Sequence, residues 1–231
     1  MNLGESINKE FRPEIIDQRE GFVVFNKPAG LLTHPVGENN KEVSLLDTLV
    51  DLHPDVLLWG EELRQGIVHR LDKVTSGLMV SAYEQKTFTE LKNEFSTRAI
   101  KKSYLAVLEN QVTSNKGIIN APIGPDPKNK AKQKVVKNGR EAITRYEVVS
   151  YNGEFSLVSI DLVTGRKHQI RTHLEYLGNP ILNDKLYGAN LSNEIPPYAI
   201  ALHSYKLEFR LKNREFSYKI DLPEYIEKLY N

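Results

Sequence analysis

No cysteine occurs in this chain of 231 residues. That excludes a disulfide framework and thiolate metal sites, and it makes a reducing compartment natural. No apolar run approaches the roughly 20 residues that a membrane helix needs. The start, Met1-Asn2-Leu3-Gly4-Glu5-Ser6, lacks the charged and apolar regions of a signal peptide. The expectation is a soluble, cytoplasmic protein. An excess of one charge is missing as well. Lys and Arg total 31 against 30 Asp and Glu, a net charge of +1, so any basic surface must be local. The phosphate loop GxxxxGK[ST], the dinucleotide loop GxGxxG and the nucleophile elbow GxSxG are all absent. The six histidines stand at 34, 53, 69, 168, 173 and 203 and form no HExxH zinc motif. Nothing in these patterns requires a metal or an organic cofactor. Internal repeats and low-complexity segments are also missing.

What is present suits a globular protein. Hydrophobic residues make up 40% and charged residues 26%, enough for a core of ordinary size. Residues 1–12 are polar and read as a flexible tail; 13–231 read as a single domain. Glu14–Asp17 and Phe22–Phe25 are short strand candidates around an Arg19-Glu20-Gly21 turn. Asn26-Lys27-Pro28-Ala29-Gly30-Leu31-Leu32 has the Pro and Gly spacing of a fixed turn. Lys27 would project from it and is a candidate for substrate contact. Ser44 can cap a helix to Leu52, with Asp47 in the capping-box position and Leu45, Leu49 and Leu52 on one face. A second helix is expected over Glu84–Phe95, with Phe88, Leu91 and Phe95 as its buried stripe. Ile100–Leu108 reads as a strand carrying Tyr104, and 122–140 as a long loop or hairpin. Strands over Ala142–Ser150 and Phe155–Val163 flank the hairpin signal Asn152-Gly153. A helix over Lys167–Leu177 ends at Gly178; its apolar face is Ile170, Leu174 and Leu177. Two more strands, near 199–207 and 216–220, precede a short helical tail from Pro223. Many strands with few interleaved helices predict an α+β fold around a mostly antiparallel sheet.

Four places could carry chemistry. In Gly66–Val80, the apolar runs Ile67-Val68 and Leu78-Met79-Val80 bracket a polar segment. There Asp72 lies between Arg70 and Lys73. Anchored flanks with a charged middle suit a carboxylate presented to a cleft, kept anionic by a nearby cation. A surface turn with an ordinary ion pair would show the same pattern. The cluster Gly165-Arg166-Lys167-His168-Gln169-Ile170-Arg171 places cations and backbone N–H groups at a helix start, which suits a phosphate or carboxylate; a solvated basic helix face is the plainer alternative. Lys128, Lys130, Lys132, Lys134, Lys137 and Arg140 face a single acid, Asp126, over 126–140. Such a local excess attracts a polyanion, or simply keeps an exposed loop soluble. Tyr104, on its strand, would ordinarily fill a core.

Taken together, these residues resemble a family. His69-Arg70-Leu71-Asp72-Lys73-Val74-Thr75-Ser76-Gly77-Leu78 is similar to the catalytic signature of the RluA-type pseudouridine synthases. Asn26-Lys27-Pro28-Ala29-Gly30-Leu31 resembles their early lysine–proline turn. Gly165 through His173, followed by Gly178-Asn179-Pro180-Ile181 and Asp184…Tyr187-Gly188, resembles their late motif. The three blocks occur in the family's order. The resemblance implies a mixed, mostly antiparallel sheet with flanking helices and loops and a cleft across its middle. It implies isomerisation of uridine within structured RNA, ribosomal RNA favoured over transfer RNA, without cofactor or metal and as a monomer. Asp72 matches the catalytic aspartate, Arg171 the arginine that pairs with it, and Tyr104 the active-site tyrosine that stacks on the base. Arg70 matches an arginine that fills the gap left by a flipped nucleotide. Arg166, Lys167, His168 and the lysine-rich segment would then hold the RNA backbone. In two respects the chain departs from the family's pattern. Asn183 stands where Gly is usual, and Asn tolerates the same left-handed backbone. Only about twelve residues precede the first strand, so the small N-terminal RNA-binding domain of many relatives is not expected. A non-catalytic RNA-folding protein on the same scaffold is the main alternative. A nucleoside hydrolase with a carboxylate pair is disfavoured, because these motifs offer no second well-placed acid.

Overall fold

The computed structural model describes residues 11–40 and 42–229. The tail expected over 1–12 lies, up to residue 10, outside the described residues. The chain divides into two compact units. One comprises the chain up to Ile100 together with Leu207–Ile220; the other comprises Lys101–Lys206 together with the chain from Asp221.

The first unit begins with a tight hairpin of β1 (Glu14–Arg19) and β2 (Phe22–Lys27), closed by Glu20-Gly21. Gly21 has φ +91°, and a Cβ there would stand 2.2 Å from the Thr87 hydroxyl, so only glycine fits. β3 (Ser76–Ala82) pairs antiparallel with β2 and is buried throughout, as an inner strand covered on both faces must be. Helix α1 (Leu45–Leu52) starts as its sequence predicts. The Ser44 N–H and hydroxyl both donate to the Asp47 carboxylate, each at 2.7 Å. Leu45, Leu46 and Leu49 are its buried residues; Leu52, expected on the same face, is exposed. Helix α2 (Gln85–Ser96) lays Leu91 into the core, with Phe88 and Phe95 packed against its edge. That core joins Phe22 and Val24, Leu78, Val80 and Ala82, and Leu207, Phe209 and Leu211. Burying one such side chain contributes about 1.5–3 kcal/mol.

In the second unit, β4 (Lys101–Glu109), β5 (Lys116–Asn120), β8 (Ile143–Tyr151) and β9 (Phe155–Leu162) pair antiparallel in the order β4-β9-β8-β5. Asn152-Gly153 turns β8 into β9. Gly153 has φ +97°, and Asn152 Oδ1 accepts from the N–H groups of Glu154 and Phe155. The stretch 122–140, expected as a long loop or a hairpin, contains a hairpin, β6 (Ile123–Asp126) with β7 (Asn129–Val135). Helix α3 (Gln169–Tyr176) begins two residues later than its periodicity predicts, because His168 adopts the left-handed region at φ +53° and cannot belong to the first turn. Leu177, expected in its apolar face, is exposed beyond the helix end. β10 (Leu202–Leu211) begins in this unit and ends in the first, where the chain turns into β11 (Arg214–Lys219). Helix α4 (Glu224–Glu227) follows. The fold class is the expected one: a mixed, mostly antiparallel sheet with four α-helices among the described residues.

Candidate active site

In the first unit the loop bearing Asp72 is clamped on both sides of that residue. Ahead of it, Thr33 Oγ1 donates to the Leu71 carbonyl at 2.9 Å and accepts from the Leu71 N–H at 3.3 Å. Behind it, the Gly30 N–H donates to the Lys73 carbonyl at 2.7 Å, and the Thr75 N–H closes onto the Asp72 carbonyl at 3.1 Å. The early Pro-Gly turn therefore serves as a cradle for the Asp72 loop. Further back, His69 Nε2 accepts from the Val80 N–H at 3.0 Å, so the neutral ring carries its proton on Nδ1. The ring stacks on Phe95 at 4.6 Å. The loop also starts at a forced glycine: a Cβ on Gly66 would lie 2.2 Å from the Ala82 carbonyl oxygen. With leucine buried before it and an exposed lysine after it, Asp72 itself is half-buried.

One expectation for this loop is corrected. Lys27 does not project from its turn. It is 0% exposed, and its Nζ donates to the carbonyls of Pro28 and Leu31 at 2.8 Å, with Lys73 O at 3.5 Å. Three carbonyls converge on the ammonium in place of water. Burial pulls its pKa down to about 7, while the charge of Asp72 pulls it back upward. Lys27 is thus a staple of the cradle. Lys73, which flanks Asp72 in sequence, pairs with Glu42. Arg70 is exposed.

In the second unit α3 is fixed by its first residue. Gln169 is buried; its Oε1 accepts from Thr164 Oγ1 at 2.7 Å and from the Arg166 N–H at 3.0 Å. Its Nε2 donates to Ile143 O and Thr144 Oγ1. The Arg166 N–H is therefore taken and is not open to an anion as expected. The Arg166 side chain donates from Nε to Glu141 O at 2.9 Å. Lys167 is exposed and His168 half-buried. His173 is structural: burial lowers its pKa, Nε2 donates to Ala121 O at 2.9 Å, and Nδ1 accepts from Thr144 Oγ1 at 2.8 Å.

Arg171 is not on a solvated face. It is 5% exposed, and Asp184, 1% exposed, grips it in bidentate fashion, Nε to Oδ2 at 2.7 Å and Nη2 to Oδ1 at 2.8 Å. The Tyr187 ring lies 4.9 Å from the guanidinium carbon. Tyr104 is buried on β4, opposite Ile160. Lys102, two residues earlier on the same strand face, lies against the Thr164–Arg166 turn: a Cβ on Gly165 would meet its Nζ at 3.3 Å. Burial lowers its pKa to about 8. Of the cations in 126–140, Lys128, Lys130, Lys134, Lys137 and Arg140 are exposed, but Lys132 turns inward to Glu175 at 3.1 Å. Thr33, Lys102, Asp184 and Tyr187 carry no role by sequence pattern alone; Asp184 and Tyr187 lie inside the late motif, and an acid 13 residues past a helix arginine is the available signal.

A family model for RNA pseudouridylate synthase matches residues 21–176, two thirds of the chain. The chain belongs to the RNA pseudouridylate synthase family. The matched span includes Asp72, Tyr104 and Arg171. An uncharacterized RNA pseudouridine synthase of Chloroflexus aurantiacus is 41% identical over 168 residues, covering 73% of this chain and 52% of the relative. A protein named ribosomal large subunit pseudouridine synthase D, from Borreliella burgdorferi, is 35% identical over 204 residues, covering 87% of the chain and 62% of the relative. The chain thus spans between about half and two thirds of the length of these relatives. Among solved structures, human RNA pseudouridylate synthase domain containing 4 superposes with a TM-score of 0.73 at 28% identity, covering 92% of this chain and 90% of that one. For this family member, the clamped Asp72 loop and the Asp184-held Arg171 are the parts with geometry suited to chemistry.

Proposed function

We propose that this chain isomerises specific uridines in structured RNA to pseudouridine. The observation that carries the reading is the double clamp on the Asp72 loop, a half-buried carboxylate whose neighbours on both sides are fixed by hydrogen bonds. A pre-set nucleophile or charge stabiliser needs such fixing, since misplacement by an ångström is costly in rate. In this reading Asp72 acts on the sugar carbon of the target uridine, either bonding to it or stabilising its developing positive charge. The C–N glycosidic bond breaks and the electron pair leaves with the uracil. The base turns, its C5 forms a bond to the same sugar carbon as any bond from Asp72 to that carbon breaks, and the proton lost from C5 is balanced by one gained at N1. Tyr104 stacks on the base and assists the proton transfer. Arg171 supplies the cation of the reaction centre. Arg70 takes the place of the flipped nucleotide, and Lys167, His168 and the exposed lysines of the β6–β7 hairpin contact the RNA backbone. No cofactor enters these steps. In this reading the chain acts as a monomer. Ribosomal RNA is the favoured substrate, in keeping with the name of the Borreliella relative; transfer RNA is the second.

The test is pseudouridine mapping across the ribosomal and transfer RNA of cells with and without this gene. One or more pseudouridines should vanish on deletion and return with the wild-type chain. An unchanged map, with the purified chain still binding RNA, would favour a non-catalytic RNA-folding role instead.

A further inference from the structure

Tyr187 has more partners than a core tyrosine needs. Its hydroxyl accepts from the Gln133 N–H at 3.0 Å and from Thr172 Oγ1 at 3.2 Å. His168 Nδ1 lies 3.0 Å from the same oxygen. A phenol oxygen has two lone pairs and one hydrogen. With both acceptances used, the hydrogen goes to His168 Nδ1, which puts the proton of the neutral imidazole on Nε2. Burial pushes the phenol's pKa upward, so it keeps that hydrogen at neutral pH. The ring is equally engaged: Lys132 Nζ and the Arg171 guanidinium each lie 4.9 Å from its centroid.

These partners come from two elements. Lys132 and Gln133 belong to β7 of the basic hairpin. His168 and Thr172 bracket the first turn of α3, and Arg171 is the α3 residue assigned to the reaction. His168 is in the left-handed region, which a non-glycine residue occupies only when its surroundings hold it there. One hydroxyl thereby fixes the strained entry to α3 and fastens the hairpin to it.

We propose that Tyr187 is a positioning residue that locks the basic hairpin and the Arg171 helix into one rigid assembly, so that hairpin contact with the RNA backbone and the setting of the guanidinium are coupled. The inference rests on the proposed pseudouridine synthase reading. Tyr187 itself touches no reacting atom. Its removal should leave RNA affinity intact and slow the chemical step.

The test uses the full chain and Tyr187→Phe, which keeps the ring and deletes the hydroxyl. Three quantities are measured: single-turnover rate at saturating substrate RNA, RNA dissociation constant, and hydrogen exchange at the Gln133 amide. The rate should fall about tenfold while the dissociation constant stays within about twofold. Exchange at Gln133 should quicken by about tenfold. An unchanged rate overturns the proposal, as does a rate loss matched by an equal loss of affinity. If Tyr187→Phe does not fold, Thr172→Val supplies the same comparison with only one bond removed, and its unchanged rate is equally fatal. A wild-type chain that forms no pseudouridine sinks the underlying reading instead. In that event Gln133 exchange decides the lock alone, and unchanged exchange in Tyr187→Phe overturns it.

Discussion

Replacing Asp184 by Asn tests the Arg171 arrangement without any assay of activity. The two side chains are 5% and 1% exposed, so water screens their attraction little. Two short charge-assisted bonds, 2.7 and 2.8 Å, join them. Taking the charge from one partner strands the other in a medium where a lone ion is poorly solvated, at a cost of about 3–5 kcal/mol. Asn retains one carbonyl oxygen for one of the two N–H groups, so Asp184→Asn belongs near the lower end and Asp184→Ala near the upper. The Tyr187 ring beneath the guanidinium offers about 0.5–2 kcal/mol at most and cannot replace the carboxylate. At about 2–4 °C per kcal/mol for a chain of this size, Asp184→Asn should lower the unfolding midpoint by roughly 6–12 °C. Urea unfolding followed by circular dichroism measures the loss directly. The double variant Arg171→Met, Asp184→Leu should recover much of it, since removing both charges removes the stranded ion. A loss below about 1 kcal/mol for Asp184→Asn, the range of exposed pairs, would refute the claim that this pair is buried and mutually dependent.

Other outcomes follow from the Asp72 cradle. Thr33→Val keeps the shape of the side chain but leaves the Leu71 N–H without its acceptor, a cost of about 1–3 kcal/mol in stability. The single-turnover rate should drop about tenfold or more with RNA affinity unchanged, and Thr33→Ser should restore it; a Val variant with the wild-type rate would contradict the clamp. Lys27 links stability to pH. Its folded-state pKa is about 7 against 10.5 ordinarily, so above pH 7 the unfolded chain binds the extra proton and stability rises with pH until both states are neutral. Between pH 7 and about 9.5 the gain is about 3 kcal/mol from this group, Lys102 adds to it with the same sign, and Lys27→Met should flatten most of the rise in urea midpoints; an identical slope in the variant would show the ammonium to be hydrated.

Local signals were read well where local chemistry decides. Ser44 and Asp47 marked the α1 start because both capping partners lie within one turn. Asn152-Gly153 marked the β8–β9 hairpin because a positive φ is needed there. Asn183 adopts φ +70°, the left-handed backbone that its substitution for glycine implied. The misread features depend on partners distant in sequence. Lys27 is the exception: its two short bonds are local, to Pro28 and Leu31, and Lys73, 46 residues on, adds a third carbonyl at 3.5 Å. Lys132 counts as one more loop cation until Glu175, 43 residues away, claims it. Arg171 falls on a polar helix face by periodicity, and only the chain's return at Asp184 covers that face. Leu52 and Leu177 fit an apolar stripe by spacing, yet each lies at or just past a helix end, where the packing neighbour is missing. The motif resemblance points to Asp72, Tyr104 and Arg171 as candidates; what holds Asp72 and Arg171 in place is legible only through Thr33, Asp184 and Tyr187.

The central claim is that Asp72 drives the chemistry on a uridine. The direct measurement is pseudouridine content at the mapped positions after restoring the gene-deleted cells with Asp72→Ala, alongside the melting temperature and RNA affinity of the purified variant. The expected result is loss of every pseudouridine that depends on this gene, with folding and RNA binding preserved. Full modification by Asp72→Ala would contradict the account.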